Sequence, residues 1–145
     1  MNNQDVRWIQ RYHNFSKAYT LLRTAIEEKE IDEFDDLQQE GLIQRFEYTF
    51  ELLWKTVKDY LEKEDVKFEV ASARNVIRTA ASSGLLETID TDGEVLLDMV
   101  TSRNLLSHTY DISKFREVLT KLKLSYLPEI DKIYHYLTEK VPKNG

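Results

Sequence analysis

The residues best suited to chemistry in this chain fall in one short stretch, SRNLLSHTYD, from Ser102 to Asp111. It brings Arg103, Asn104, His108 and Tyr110 together at the end of an apolar helical pattern. A helix that only packs has no need of a fixed cation, an amide, a titrating base and a phenol in one place. That set suits work on an RNA phosphate. A 2′-hydroxyl attacks the adjacent phosphorus once a base removes its proton, and no metal is required. Imidazole titrates at about pH 6.5 in reference peptides, so His108 is available as that base near neutrality. Well-placed general-base catalysis is worth ~10²–10⁴-fold. Arg103 keeps its charge, and its planar fork matches phosphate oxygens, which stabilises charge growing in the transition state. Asn104 can orient His108 or bond a phosphate oxygen. Tyr110 can stack on a base or donate to the leaving group.

Each of the four also has an ordinary reading. Arg103 can pair with an acid such as Asp98 or Glu51, and Asn104 can cap or bridge helices. His108 can serve as the cation that helix C-termini favour, and Tyr110 can cover the edge of the core. Taken singly, each residue fits the ordinary reading better. Their combination at one corner favours the chemical one. Five residues of regular helix turn the chain by about 140° net, so Arg103 and His108 do not share a face, whereas Asn104 and His108 do. The motif therefore requires the helix to end near Ser107 or His108, with His108, Thr109 and Tyr110 folding around the terminus.

The elements that must hold this corner are helices. The chain has 145 residues with only 4 glycines and 2 prolines, which means few turns and long elements. Trp8/Ile9, Tyr12, Phe15, Tyr19, Leu22 and Ile26 recur at steps of three and four, giving a first amphipathic helix over roughly residues 4–30. EIDEFDD breaks it, and Asp35 with Gln38 forms a capping pair for a second helix. That helix carries Ile43, Phe46, Phe50, Leu53/Trp54, Val57 and Tyr60/Leu61 and runs to about Glu64. ASARNVIRTAASSG is a shorter third helix that Gly84 stops. TIDTDGE reads as a turn. Thr91 with Glu94 fits a capping box opening a fourth helix, which carries Leu96, Met99, Val100, Leu105 and Leu106. Phe115 to Leu137 form a fifth, which Pro128 should kink or restart because it lacks an amide donor. The expectation is an all-α, up-and-down bundle of four or five helices, one domain over residues 1–145.

Composition excludes several classes. With no cysteine there are no disulfides, thiol nucleophiles or thiolate metal sites. The opening MNNQDVRWIQRYHNF lacks the apolar core of a signal peptide, and no apolar run approaches membrane length, so a cytoplasmic protein without a membrane role is expected. The net charge of −6 argues against broad coating of nucleic acid. Residues 27–40 hold eight acids against Lys29, while residues 112–145 hold seven bases against four acids. A solvated acidic turn and a solvated basic helix face explain both better than a partner surface and a phosphate border. Glu47 and Glu51, four apart on the second helix, can position Arg103 or hold a metal. Glu51 with Lys55 is an ordinary i, i+4 pair, and structural pairing is the better reading. His13 and His135 have no ligand-like neighbours, and no glycine-rich phosphate loop is present, so neither metal nor cofactor is expected and the chain is not itself a nucleotidyltransferase.

The pattern Arg103-Asn104-x-x-x-His108-x-Tyr110 resembles the Rx4-6H signature of HEPN domains. QRFEYTFELLWKTVKDYLE (Gln44 to Glu62) resembles the second helix of the nucleotidyltransferase substrate-binding proteins, the HepT-like branch of that superfamily. SARNVIRTAASSGLL resembles their third. The resemblance implies a helical bundle that dimerises with two Rx4-6H motifs facing one cleft. It implies a metal-independent endoribonuclease acting as the toxin of a toxin–antitoxin pair, with a minimal nucleotidyltransferase as antitoxin. By motif match Arg103 and His108 are catalytic, Asn104 is a supporting residue, and Tyr110 is the acceptor of AMP from the partner. An older view of the branch implies the alternative, a noncatalytic subunit that presents nucleotide or another substrate to a transferase.

Overall fold

Asn2 opens the first helix with a capping box: its side chain accepts from the Asp5 amide, and Asp5 reaches back to the Asn2 amide. The structure, a computed structural model, describes residues 2–143. Helix α1 spans Asn3–Ile26 and buries Trp8, Tyr12, Phe15, Tyr19, Leu22 and Ile26, the stripe its spacing predicts. It stops four residues earlier than expected, and a 3₁₀ turn at Ile31–Glu33 redirects the chain. Asp35 and Gln38 then form the expected reciprocal cap, and α2 runs over Asp36–Lys63. The two long helices share the longest seam of the bundle. Phe15, Leu22, Phe46, Phe50 and Leu53 are all at most 1 % exposed.

Helix α3 (Ala73–Ser82) is capped by Ser72 and ends before Gly84. Gly84 takes φ +90°, a left-handed conformation that costs glycine little and most residues much. It leads into a short helix absent from the sequence expectation, α4 (Leu85–Ile89), which buries Leu85 and Leu86. The segment that reads as a turn is thus partly helical. The expected Thr91–Glu94 box is also corrected. Helix α5 (Gly93–Leu106) is capped by Asp92, whose carboxylate accepts from the Glu94 amide. Thr91 lies one residue too early, buried, and its hydroxyl donates to Glu129 at 3.0 Å.

The last helical path begins at Asp111, which caps α6 (Ile112–Lys121). A π-helical turn over Leu122–Tyr126 joins it to α7 (Leu127–Lys140). Pro128 has no amide to continue an α-helical ladder, and the chain widens immediately before it: the Leu127 amide donates to the Leu122 carbonyl, five residues back. The helix is thereby restarted at Pro128, as expected. The widened turn buries Tyr126, whose ring stacks on Phe46 at 5.7 Å. Its hydroxyl donates to Asp98 Oδ2 at 2.6 Å and lies 2.7 Å from Ser102 Oγ. Burial and the Asp98 carboxylate both push the phenol's pKa up, so it stays a donor. Tyr126 therefore pins the half of α5 that leads into the candidate corner. The described residues contain no strand, and the all-α expectation holds.

Candidate active-site corner

Helix α5 ends where the motif requires. Leu106 is its last residue, and the Ser107 amide and hydroxyl both bond the Arg103 carbonyl, at 3.1 and 3.0 Å. The His108 amide closes on the Leu105 carbonyl at 3.2 Å. These bonds satisfy part of the carbonyl row left open at a helix C-terminus. They turn the chain so that His108, Thr109 and Tyr110 pass around the end and reach the Asp111 cap of α6.

Arg103, in the last turn of α5, is half-buried against α2. Its Nη1 donates to Glu51 Oε2 at 2.6 Å and its Nη2 to Asn104 Oδ1 at 3.3 Å. The guanidinium carbon lies 5.8 Å from the centre of the Phe50 ring. Glu51 is the hub of this contact. It also accepts from the Trp54 indole at 3.1 Å and pairs with Lys55 at 3.4 Å. Burial opposes its charge, but the indole N–H, Arg103 and Lys55 outweigh burial and hold the carboxyl below its ordinary range. Of the two partners the sequence offers Arg103, Glu51 is chosen. Asp98 is engaged by Tyr126 and Lys121. Asn104 holds Arg103 here and not His108. A guanidinium has five N–H donors, so the fork is fixed in place without being exhausted.

His108 and Tyr110 lie in a different setting. Both line an open groove of about 380 Å³ between the corner and α2, whose α2 wall presents Glu40, Gln44 and Glu47. The His108 side chain is exposed and makes no hydrogen bond or ion pair among the described residues. Tyr110 is 74 % exposed; its hydroxyl donates to Glu40 at 2.9 Å, and its ring sits edge-on to Phe115. The hydrogen bond to the Glu40 carboxylate keeps the phenol protonated, raising its pKa above the ordinary value. Arg103 does not line this groove. One chain thus brings His108 and Tyr110 together and leaves Arg103 beside them, held by α2.

Glu47 takes a place other than the two its spacing suggests, a partner for Arg103 or a metal ligand. It lines the groove, and it makes no hydrogen bond or ion pair among the described residues. Burial raises its pKa, and the nearby Arg103 charge only partly offsets that. Glu40 likewise belongs to the groove, although it falls in the stretch that reads as a solvated acidic turn. A signal is present: Glu40, Gln44, Glu47 and Glu51 follow steps of four, three and four, one face of α2. Four of the seven bases in the C-terminal stretch are engaged within the chain. Lys114, Lys121, Lys123 and Lys132 are paired with Glu117, Asp98, Glu30 and Glu129. No group of three or more His, Asp or Glu side chains among the described residues is placed to hold a metal.

Fold and corner together define a small protein, all-helical among the described residues, with a polar groove at a helix end. Residues 10–139 match the family of proteins like nucleotidyltransferase substrate binding protein, and the chain belongs to that family. It is also similar to a protein of Thermus thermophilus known from its crystal structure. The two share 33% sequence identity, the match covers 85% of this chain and 98% of the other, and the TM-score is 0.71. No curated protein matches the chain. No helix among the described residues is long and apolar enough to cross a membrane.

Proposed function

We propose that the chain is a HepT-like toxin of the HEPN superfamily, a metal-independent endoribonuclease that works as a homodimer through Arg103, His108 and Tyr110. The observation that carries this reading is the pairing of an unengaged His108 imidazole with an exposed Tyr110 phenol in one open groove, beside a guanidinium held by Glu51. RNA lies with its scissile phosphate at the corner. His108 transfers a proton in the step in which the 2′-hydroxyl attacks and the 5′-oxygen leaves. Arg103, with donors left on its fork, faces the phosphate oxygens and stabilises the charge they gain. Because Arg103 does not line its own chain's groove, the second copy of the motif completes the cation set.

The partner in this reading is a minimal nucleotidyltransferase antitoxin. It transfers AMP from ATP to the Tyr110 phenol and releases pyrophosphate. The product places a phosphodiester and a base in the groove, breaks the hydrogen bond to Glu40, and denies RNA its site. The test is cleavage of a defined RNA panel in EDTA by wild type, Arg103→Ala and His108→Ala, each checked for folding. Cleavage by wild type alone is expected, and uncut RNA at every pH near 7 overturns the proposal. Intact mass after incubation with ATP and the partner tests the modification. An inhibited complex with unmodified Tyr110 rules it out.

A second reading has its own support, since Arg103 is engaged by Glu51 and does not line the groove. The chain is then a noncatalytic subunit that presents nucleotide or another substrate to a nucleotidyltransferase. It predicts saturable nucleotide binding with no cleavage of any RNA.

A further inference from the structure

Cleavage of RNA through its own 2′-hydroxyl needs two proton transfers. One proton leaves the 2′-oxygen as it bonds to phosphorus. Another reaches the 5′-oxygen as its bond to phosphorus breaks. A single imidazole serves both ends only if it moves between them within one step. The groove offers a second titratable group, on the wall opposite His108.

That group is Glu47. It projects from α2 into the groove that His108 and Tyr110 line from the other side. Its neighbours Glu40 and Glu51 are spoken for, by Tyr110 at 2.9 Å and by Arg103 at 2.6 Å. Glu47 makes no such contact among the described residues, although Arg103 is near enough for its charge to be felt. A half-buried carboxyl with no partner on the protein is left free to accept a proton from whatever occupies the groove. The groups around it are Arg103 from α5, His108 and Tyr110 from the corner, and Glu40, Gln44 and Glu51 from α2 itself.

We propose that Glu47 is a catalytic residue of the cleavage, the base that takes the 2′-hydroxyl proton, leaving His108 to protonate the departing 5′-oxygen. The inference rests on the nuclease reading above. In the step, the 2′-oxygen–phosphorus bond forms and the phosphorus–5′-oxygen bond breaks. The 2′ proton passes to the Glu47 carboxylate, and the His108 imidazolium gives its proton to the 5′-oxygen. The products are a 2′,3′-cyclic phosphate and a 5′-hydroxyl, with no other reactant consumed. In this arrangement the competent pair is a carboxylate that accepts and an imidazolium that donates, one at each end of the scissile linkage. Burial of Glu47 moves its titration upward, toward the working pH of a base.

The experiment uses full-length protein and an oligonucleotide with one ribonucleotide at a site the wild type cuts. It is made with a normal 5′-oxygen and with sulfur in its place, since a thiolate leaves without a proton. Glu47→Gln, which keeps the shape, is expected to lose roughly 10²–10⁴-fold in kcat/KM on both substrates, like other losses of a general base. It should also lose the acid limb of the pH profile. Glu47→Asp should recover part of the rate. His108→Ala should be slow on the oxygen substrate and restored by sulfur. Full activity in Glu47→Gln, or restoration of Glu47→Gln but not His108→Ala by sulfur, overturns the assignment and leaves the nuclease reading standing. Failure of the wild type to cut either substrate overturns both.

Discussion

The two sides of the α5 terminus are built on opposite principles. On one side Arg103 is half-buried, fixed by Glu51, Asn104 and the Phe50 ring. On the other, a few residues on, His108 and Tyr110 stand exposed in an open groove. In the nuclease proposed above, the difference separates a charge that must be placed from groups that must react. A guanidinium stabilises a transition state by being in position beforehand, so its reorganisation is settled during folding. An imidazole must gain or lose a proton, which requires access to substrate and water. The pinned side belongs to the packed bundle through Tyr126. The open side is made of a helix end and a cap.

If this contrast is correct, substitutions on the two sides should separate activity from stability. The largest effect is expected for His108→Ala. On the nuclease reading, RNA cleavage should fall ~10²–10⁴-fold while the thermal midpoint stays unchanged, because the side chain is exposed and makes no hydrogen bond or ion pair among the described residues. A large loss of stability would show that the corner is structural. Tyr126→Phe should cost about 1–2 kcal/mol in urea unfolding, because it strips the Asp98 and Ser102 bonds from a buried site. Cleavage should fall with it to the extent that α5 loosens.

Glu51→Gln should cost at most about 1 kcal/mol, since a third of the side chain is exposed and screened. Its pH dependence is the sharper readout. The folded-state value of Glu51 is depressed, so its contribution is fully present above the ordinary value of 4.5 and is lost as pH falls through the folded value. The gap between wild type and variant should therefore close in acid, and a gap independent of pH would deny the charge a role. Tyr110→Phe is expected to have the smallest effect on the protein itself, with an unchanged thermal midpoint, because it loses one exposed hydrogen bond. The same variant should escape both AMP transfer and inhibition by the partner.

Much of this is legible in the sequence. The core stripe of α1, the Asp35–Gln38 cap, the restart at Pro128 and the end of α5 near Ser107 all follow from spacing and backbone chemistry. The misses have two different origins, one long-range and one local. Thr91 and Asp92 are both good caps, and Asp92 takes the role because Glu129, far along the chain, claims Thr91. The short α4 helix is hidden by the turn-rich residues that follow it.

Sequence alone determined which residues could form helices, which faces they would bury, and that α5 ends beside His108 and Tyr110. These depend on contacts within a turn or two of the chain. The partners of the corner's side chains were decided only by tertiary structure. Arg103 meets Glu51 across 52 residues, and Tyr110 meets Glu40 across 70. Those meetings depend on how α2 is rotated against α5, and core packing of both helices sets that rotation. Periodicity marks Glu40, Gln44, Glu47 and Glu51 as one face, but only the packed bundle turns that face toward Arg103 and the groove.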